Sequence, residues 1–257
     1  MNNQSSFTYI LAGGGMAGLS LAYYLNQSKV PFDSMLIIDQ SVKNTRDKTW
    51  CYWSDQPETF DSVVEHTWNR LWFHSFDNQS DLFSIAPFSY RKIQSDRWYA
   101  FVLAELKLNP KIQFLQAKVT GFQYAGRHAT VQTEVGEFTA TEKIFDSVTA
   151  FPCELANPKH LKQHFVGLSI EANFPIFDPE SAHLFDFRVA FGKECEFMYV
   201  LPTTPRKALF EYTFFSGTIR EPEFYRDKIK SYLFAYYGLT EDDYLLKEEE
   251  CGVIPMR

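Results

Sequence analysis

No stretch of the chain approaches the ~20 consecutive apolar residues that a membrane-spanning helix needs. The first eight residues, Met1 to Thr8, are polar and uncharged, without the basic start and apolar core of a signal peptide. A soluble, cytoplasmic protein is therefore expected. Basic charge is scarce: 25 Lys and Arg stand against 32 Asp and Glu, leaving a net charge of -7. That balance argues against a nucleic-acid binder, which would show a basic face. Cysteine is scarce too. The four present (Cys51, Cys153, Cys195, Cys251) lie far apart and form no C-x-x-C pair, so reduced, mostly buried thiols are expected rather than a disulfide framework or a thiolate metal site. Repeats, low-complexity tracts and flexible linkers are absent.

Aromatic side chains, in contrast, are abundant. They make up 17% of the chain, as 25 Phe, 14 Tyr and 5 Trp. Such a share suits either an aromatic-rich core or an enzyme whose substrate is a long hydrocarbon or whose intermediate is a cation.

Phe7 to Ala12 is a short apolar run bounded by glycines, as expected of a buried parallel strand. Gly13-Gly14-Gly15-Met16-Ala17-Gly18 follows at once. A helical spacing then runs to about Asn26, and a second strand, Met35 to Ile38, ends in Asp39. This is a βαβ unit. Gly13, Gly15 and Gly18 fit G-x-G-x-x-G, in which the first glycine permits the tight turn, the second lets backbone approach a pyrophosphate and the third lets helix and strand pack closely. The helix N-terminus offers unpaired N–H groups to the phosphates. Asp39 stands about twenty residues on, where a carboxylate accepts the ribose hydroxyls. Dinucleotide binding is the expectation, with FAD and NAD(P) undistinguished by these residues alone.

Further on, residues 41–57 read as an ordered loop, with strand-like runs at 71–76 and 82–88. Ser95 and Asp96 open a helix to about Leu108. Ile112–Leu115 returns to the sheet, and a small antiparallel meander spans about 117–141 before Lys143–Phe145 re-enters, ending at Asp146. That insert is built as in many FAD-dependent hydroxylase-like proteins, which favours FAD. Beyond Pro152, runs at 165–171, 183–189, 196–201 and 208–214 are spaced like an antiparallel sheet, and Glu223 to Tyr237 reads as an amphipathic helix stopped by Gly238. The expected fold is α/β: a Rossmann-type FAD/NAD(P)-binding domain over 1–150 and an antiparallel β-sheet substrate domain over 151–257. His160 and His164 stand at i, i+4 after Asn157-Pro158, as on a helix, but without an evident third ligand, so no metal is expected. Arg188 reads as a structural ion-pair partner or a residue of the cofactor or substrate site. Glu248 to Glu250 reads as a solvated acidic run.

Several segments resemble the bacterial lycopene cyclase family. Asp47-Lys48-Thr49-Trp50-Cys51-Tyr52-Trp53 is similar to that family's Asn-Asp-Arg-Thr-Trp-Cys-Phe-Trp segment, with Lys48 in place of the Arg. Phe145-Asp146-Ser147, Gln163-His164-Phe165-x-Gly167, Asp186-Phe187-Arg188 and Phe197 to Pro202 match in order. Leu209-Phe210-Glu211-Tyr212-Thr213 resembles the segment that carries the key acid, often two consecutive acids; Tyr212 stands where the second would be. Glu250-x-Gly252-Val253-Ile254-Pro255-Met256 looks like the family's Glu-x-Gly-x-Ile-Pro-Met. The family continues beyond that point to complete its flavin domain, so a C-terminal truncation is expected here.

The resemblance implies a non-redox cyclisation of the ψ end groups of lycopene, or a related carotenoid, to β-rings. FAD in its reduced form would serve, with NAD(P)H as reductant. Glu211 and Glu250 are the implied catalytic acids, and Tyr212, Phe214 and Phe215 are candidates for stabilising a cation. Gly13, Gly15, Gly18, Asp39 and Asp146 are the implied cofactor-binding residues. The insolubility of a carotenoid implies peripheral membrane contact through an exposed apolar patch near the second domain. A flavin-dependent monooxygenase or desaturase, and an inactive truncated cyclase, are the rival readings.

Overall fold

The computed structural model describes residues 5–126, 128–148, 161–190, 192 and 194–256. The chain divides into two compact units, Met1–Arg46 with Ser95–Ala150, and Asp47–Gln94 with Phe151–Arg257. Residues 47–94 group with the second unit, so the first is made of two separate stretches of chain.

In the first unit, β1 (Ser6–Ala12), α1 (Met16–Gln27) and β2 (Met35–Asp39) form the expected βαβ succession. β2 pairs in parallel with both β1 and a later strand, residues Ile112–Gln116. Strand Gly136–Asp146 runs parallel to β1 and antiparallel to its hairpin partner His128–Thr133, which pairs in turn with Val119–Ala125. The result is a six-stranded sheet, part parallel and part meander. The central parallel strands β1 and β2 read as apolar runs because they are buried on both faces: Ile10, Leu11, Ala12, Leu36, Ile37 and Ile38 are all buried. Helix α2 (Ser95–Lys107) buries Trp98, Tyr99, Val102 and Leu106, and the Tyr23 ring of α1 meets Phe101 at 6.0 Å.

The remaining strands belong to the second unit. β3 (Thr49–Ser54), β4 (Val64–Trp68) and β7 (Ser89–Gln94) form a three-stranded antiparallel sheet, where a loop had been expected over 41–57. With β5 (Arg70–His74), β6 (Ser80–Ser84), and β8 to β11 as the later strands of the first unit in chain order, the second unit adds β12 (Lys162–Ala172), β13 (Ser181–Asp186), β14 (Cys195–Thr204), β15 (Lys207–Ser216) and β16 (Tyr244–Pro255). These build a seven-stranded sheet of order β16-β12-β15-β14-β13-β5-β6. All its pairings are antiparallel except β13 with β5. The expected strand 183–189 ends at Asp186, where Phe187–Val189 turns as a 3-10 helix.

Helix α3 (Pro222–Tyr237) starts with Pro at its first position and ends at Gly238 in the left-handed region, as proline and glycine each favour. It covers one face of the large sheet. Alternation along β15 sends Ala208, Phe210, Tyr212 and Phe214 into that core with Ile229, Tyr232 and Leu233 of the helix. The opposite face carries Leu209, Glu211, Thr213 and Phe215. There a second apolar cluster joins Leu201, Leu209, Ala182 and Leu184 to Trp68 and Leu71, with Cys51, Tyr90 and Tyr199 packed against it.

Candidate active site

The glycine loop has the geometry its spacing implies. Gly13 takes φ +110°, a conformation that side chains rarely adopt, and its N–H donates to the Ile38 carbonyl at 2.8 Å. A Cβ on Gly18 would lie 2.1 Å from the Gly13 carbonyl oxygen, a backbone atom that cannot yield. Gly15 caps α1 in extended conformation, with no side-chain cap and no acid in the first turn, and nothing lies within 4 Å of where its Cβ would be. The helix N-terminus is thus approachable by an anion at this glycine. Asp39 ends β2 and is oriented by three donors: Gly14 N–H at 2.7 Å, and the Ser41 N–H and hydroxyl, each at 2.8 Å. Burial acts to raise its pKa, but these hydrogen bonds and Lys43, 3.2 Å away, outweigh it and hold the carboxyl below its ordinary value. Asp146 ends β11 beside Ala12; its Oδ1 accepts the Val148 N–H at 2.9 Å. The next residue, Ser147, donates through its hydroxyl to the Ala12 carbonyl at 3.0 Å.

In the second unit the two predicted acids meet across a glycine. Gly167 of β12 is in register with Glu211 of β15 on one side and with Glu250 of β16 on the other. A Cβ on Gly167 would come 3.1 Å from Glu250 Cγ, so a residue without a side chain leaves the space in which both carboxyl groups stand. Tyr199 of β14 lies directly opposite Glu211. Thr213 donates to Glu211 Oε1 at 2.9 Å, and the Thr49 N–H donates to Glu250 Oε2 at 3.0 Å. Burial, and next the neighbouring Glu250, push the Glu211 carboxyl up to about 8, against the Thr213 hydrogen bond. Glu250 is also raised, by burial, while Thr49, Lys92 and Lys48 oppose the shift. Glu211 therefore holds a proton at neutral pH beside a second carboxyl group. Cys51 and Tyr90 of the small sheet complete the surroundings, and burial pushes the Cys51 thiol up to about 12.

Other sequence expectations change with strand alternation. Tyr212 and Phe214 point to the helix-covered face, away from Glu211; Tyr212 donates to Glu196 Oε2 at 2.7 Å. Of the three rings expected to support a cation, only Phe215 shares the face of Glu211. Glu250 is no member of a solvated run either: Glu249 turns to the helix face and pairs with Arg226 at 2.6 Å, while Glu250 turns inward. His164 lies in strand β12, not on a helix, and bonds Ser216 and Tyr225 at 2.9 and 2.5 Å; His160 is outside the described residues. Arg188 is an ion-pair partner, with both guanidinium arms on Asp186 and its plane 4.1 Å from the Tyr236 ring centre.

Sequence reasoning missed Gly167, Tyr199, Thr49 and Tyr90 as site residues. Gly167, Tyr199 and Thr49 lay inside the recognised segments, but their pairing with the acids is a matter of register that no local pattern carries. Also missed was a buried network in which His74 Nε2 meets His183 Nδ1 at 2.8 Å, with Asp186 Oδ2 4.0 Å from His74. These ligand-type atoms lie within 4.8 Å of one another. Asp186 already accepts from Arg188 and from the Tyr232 hydroxyl.

Among solved structures, the chain is similar to a geranylgeranyl bacteriochlorophyll reductase-like protein from Thermoplasma acidophilum, with a TM-score of 0.72 and 11% identity over 98% of this chain and 67% of that one. A flavin-dependent brominase gives 0.66 and 9%, over 96% and 67%. The p-nitrophenol 4-monooxygenase of Pseudomonas putida gives 0.64 and 10%, over 98% and 68%. These likenesses establish a shared mixed α/β fold with several sheets, of which the chain spans about two thirds of the length. No curated protein matches in sequence. The family described as lycopene cyclase protein matches over residues 9–257. With nearly its whole length so matched, and with the two acids of the recognised segments facing each other, the chain belongs to the lycopene cyclase family.

Proposed function

We propose that this chain catalyses the non-redox closure of ψ end groups of lycopene, or a close carotenoid, to β-rings. The observation that carries the reading is Glu211: a carboxyl group pushed up to about 8, faced by Glu250 across Gly167. Ring closure begins with a proton delivered to a terminal double bond, and only an acid still protonated at neutral pH, in a dry site, supplies it. Glu211 is the donor. Glu250, held by the Thr49 N–H, is the second carboxyl group, placed to receive the proton released as the ring forms. Tyr199 and Phe215, on the same face, offer ring faces to the cation, worth roughly 0.5–2 kcal/mol each.

FAD is the cofactor proposed for the first unit, read as a Rossmann-type domain; the open Gly15, the acid-free first turn of α1 and the oriented Asp39 fit its pyrophosphate and ribose. In reduced form, with NAD(P)H as reductant, it would supply negative charge that favours a cationic intermediate. Gly15 would approach the pyrophosphate, with Gly13 making the turn and Gly18 packing helix on strand, Asp39 would meet the ribose, and Asp146 would close the cofactor-side end of β11. Among the described residues no helix is long and apolar enough to cross a membrane. Peripheral contact, on the cytoplasmic side, is proposed instead, supported by the exposed Phe73, Phe76, Leu82 and Phe83 of the β5–β6 hairpin.

Expression in lycopene-accumulating cells tests the reading. A product isomeric with lycopene is expected from the wild type and none from Glu211→Gln. A product heavier by an oxygen or lighter by two hydrogens would point instead to a monooxygenase or desaturase.

A further inference from the structure

Aromatic rings form an unbroken row along the Glu211 face of the seven-stranded sheet. Tyr199, opposite Glu211, is 5.0 Å from Phe197 and 5.8 Å from Phe185 between ring centres. Phe185 is 5.2 Å from Phe197 and 6.2 Å from Phe187, and Phe187 is 5.8 Å from Phe73. The row crosses from β15 through β14 and β13 to β5, about 14 Å at ~4.8 Å per strand. Phe197, near Glu211, is 2% exposed, whereas Phe185 and Phe73, farther along, are 40% and 37% exposed.

The backbone under the row is irregular at one residue. Phe185 has φ +65°, and the register of β13 shifts between His183 and Asp186. Regular alternation would send Phe185 to the helix-covered face and Asp186 to the row. The bulge reverses both, leaving Phe185 among the rings and Asp186 fully buried against Tyr232. A bulky residue in the left-handed region is an outlier, and such outliers gather at ligand clamps; bulges re-aim side chains beside active sites.

We propose that this row is the binding lane of an extended conjugated hydrocarbon, whose end group reaches Glu211 while Phe185 and Phe73 line the mouth. Offset and edge-to-face ring contacts suit a flat π-system and exclude water, and a lane several strands wide suits a long, narrow ligand. That the hydrocarbon is lycopene rests on the function proposed above.

The test is lycopene binding by the full chain, with lycopene delivered in detergent micelles and read by quenching of tryptophan emission. Phe185→Ala and Phe73→Ala are each expected to weaken binding roughly 3–10-fold, and the double variant more than tenfold. Phe185→Tyr, which keeps the ring, should lose less binding than Phe185→Ala, and Phe234→Ala, on the helix that covers the other face, should bind as wild type. Circular dichroism confirms that each variant is folded. A folded double variant that binds lycopene as tightly as wild type, or a wild type that does not bind it, overturns the lane. Ring formation is scored separately in lycopene-accumulating cells. Lane-sensitive binding without ring formation would sink the cyclase reading and keep the lane; ring formation with lane-insensitive binding would do the reverse.

Discussion

Removing the Glu211 carboxyl should change how stability depends on pH. An ordinary Glu loses its proton near 4.5, whereas folded Glu211 keeps it to about 8. Between those values the folded state binds more protons than the unfolded, so stability falls as pH rises, by at most 1.36 kcal/mol per pH unit for one group. The full window amounts to roughly 5 kcal/mol as an upper bound. His183 works against it lower down: burial, and next His74, push its imidazole down to about 4, so its contribution increases as pH rises to about 6.5. His74 and His164 are lowered in the same sense. Above pH 6.5 the three histidines still add about 0.4 kcal/mol each as the unfolded imidazoles lose their last protons, equally with or without Glu211, so relative to a variant lacking it Glu211 should cost about 1.5–2 kcal/mol between pH 6.5 and 8. Glu211→Gln keeps the shape and an acceptor for Thr213, so it should lack that loss and gain about 1.5–2 kcal/mol on the wild type from pH 6.5 to 8. Urea unfolding at half-unit pH steps from 5 to 8.5 measures both. Parallel curves for the two proteins would refute a proton stored on Glu211, and with it the acid proposed for catalysis.

Gly18→Ala forces a Cβ onto the Gly13 carbonyl; it should destabilise the protein by about 1–3 kcal/mol and abolish FAD uptake measured by absorbance, while Phe234→Ala leaves both intact. Gly167→Ala presses on Glu250 and Leu209; the expected result is a folded protein whose ring formation falls at least tenfold in product assays, and unchanged activity would remove Gly167 from the site. Cys51, pushed up to about 12, should resist iodoacetamide at pH 8 while the exposed Cys251 reacts, as peptide mapping will tell. His183→Gln should lessen the loss of stability between pH 6.5 and 4, read by the same urea series; an unaltered acid limb would show that the imidazole stays uncharged in neither state.

Much of the first unit was legible because its signals are local. The glycine loop, the apolar runs of β1 and β2 and Asp39 lie within forty residues and need no distant partner to be read. Glu211 was legible by resemblance, but its surroundings were not, since Gly167, Glu250 and Thr49 reach it by register between strands far apart in the chain. Strands β3 and β7 hid because Thr49–Ser54 and Ser89–Gln94 mix polar and aromatic residues without clean alternation. β16 hid because acids sit on both of its faces, Glu249 on Arg226 and Glu250 in the site, so the run read as solvated charge. Tyr212 and Phe214 were misjudged as neighbours of Glu211 because closeness along a strand is not closeness across it. At Phe185 the period itself fails, where one left-handed residue shifts the faces of those that follow.

The chain leaves its first unit at residue 46, returns at 95 and leaves again at 150. β5, made early, finds its parallel neighbour β13 more than a hundred residues later, and β1 waits for β11. Neither unit can close on the ribosome from a contiguous stretch, so synthesis leaves open strand edges until late, a topology of slow folding. Cutting the gene at residue 150 would not yield two domains; it would strand β5 and β6 without the sheet they complete.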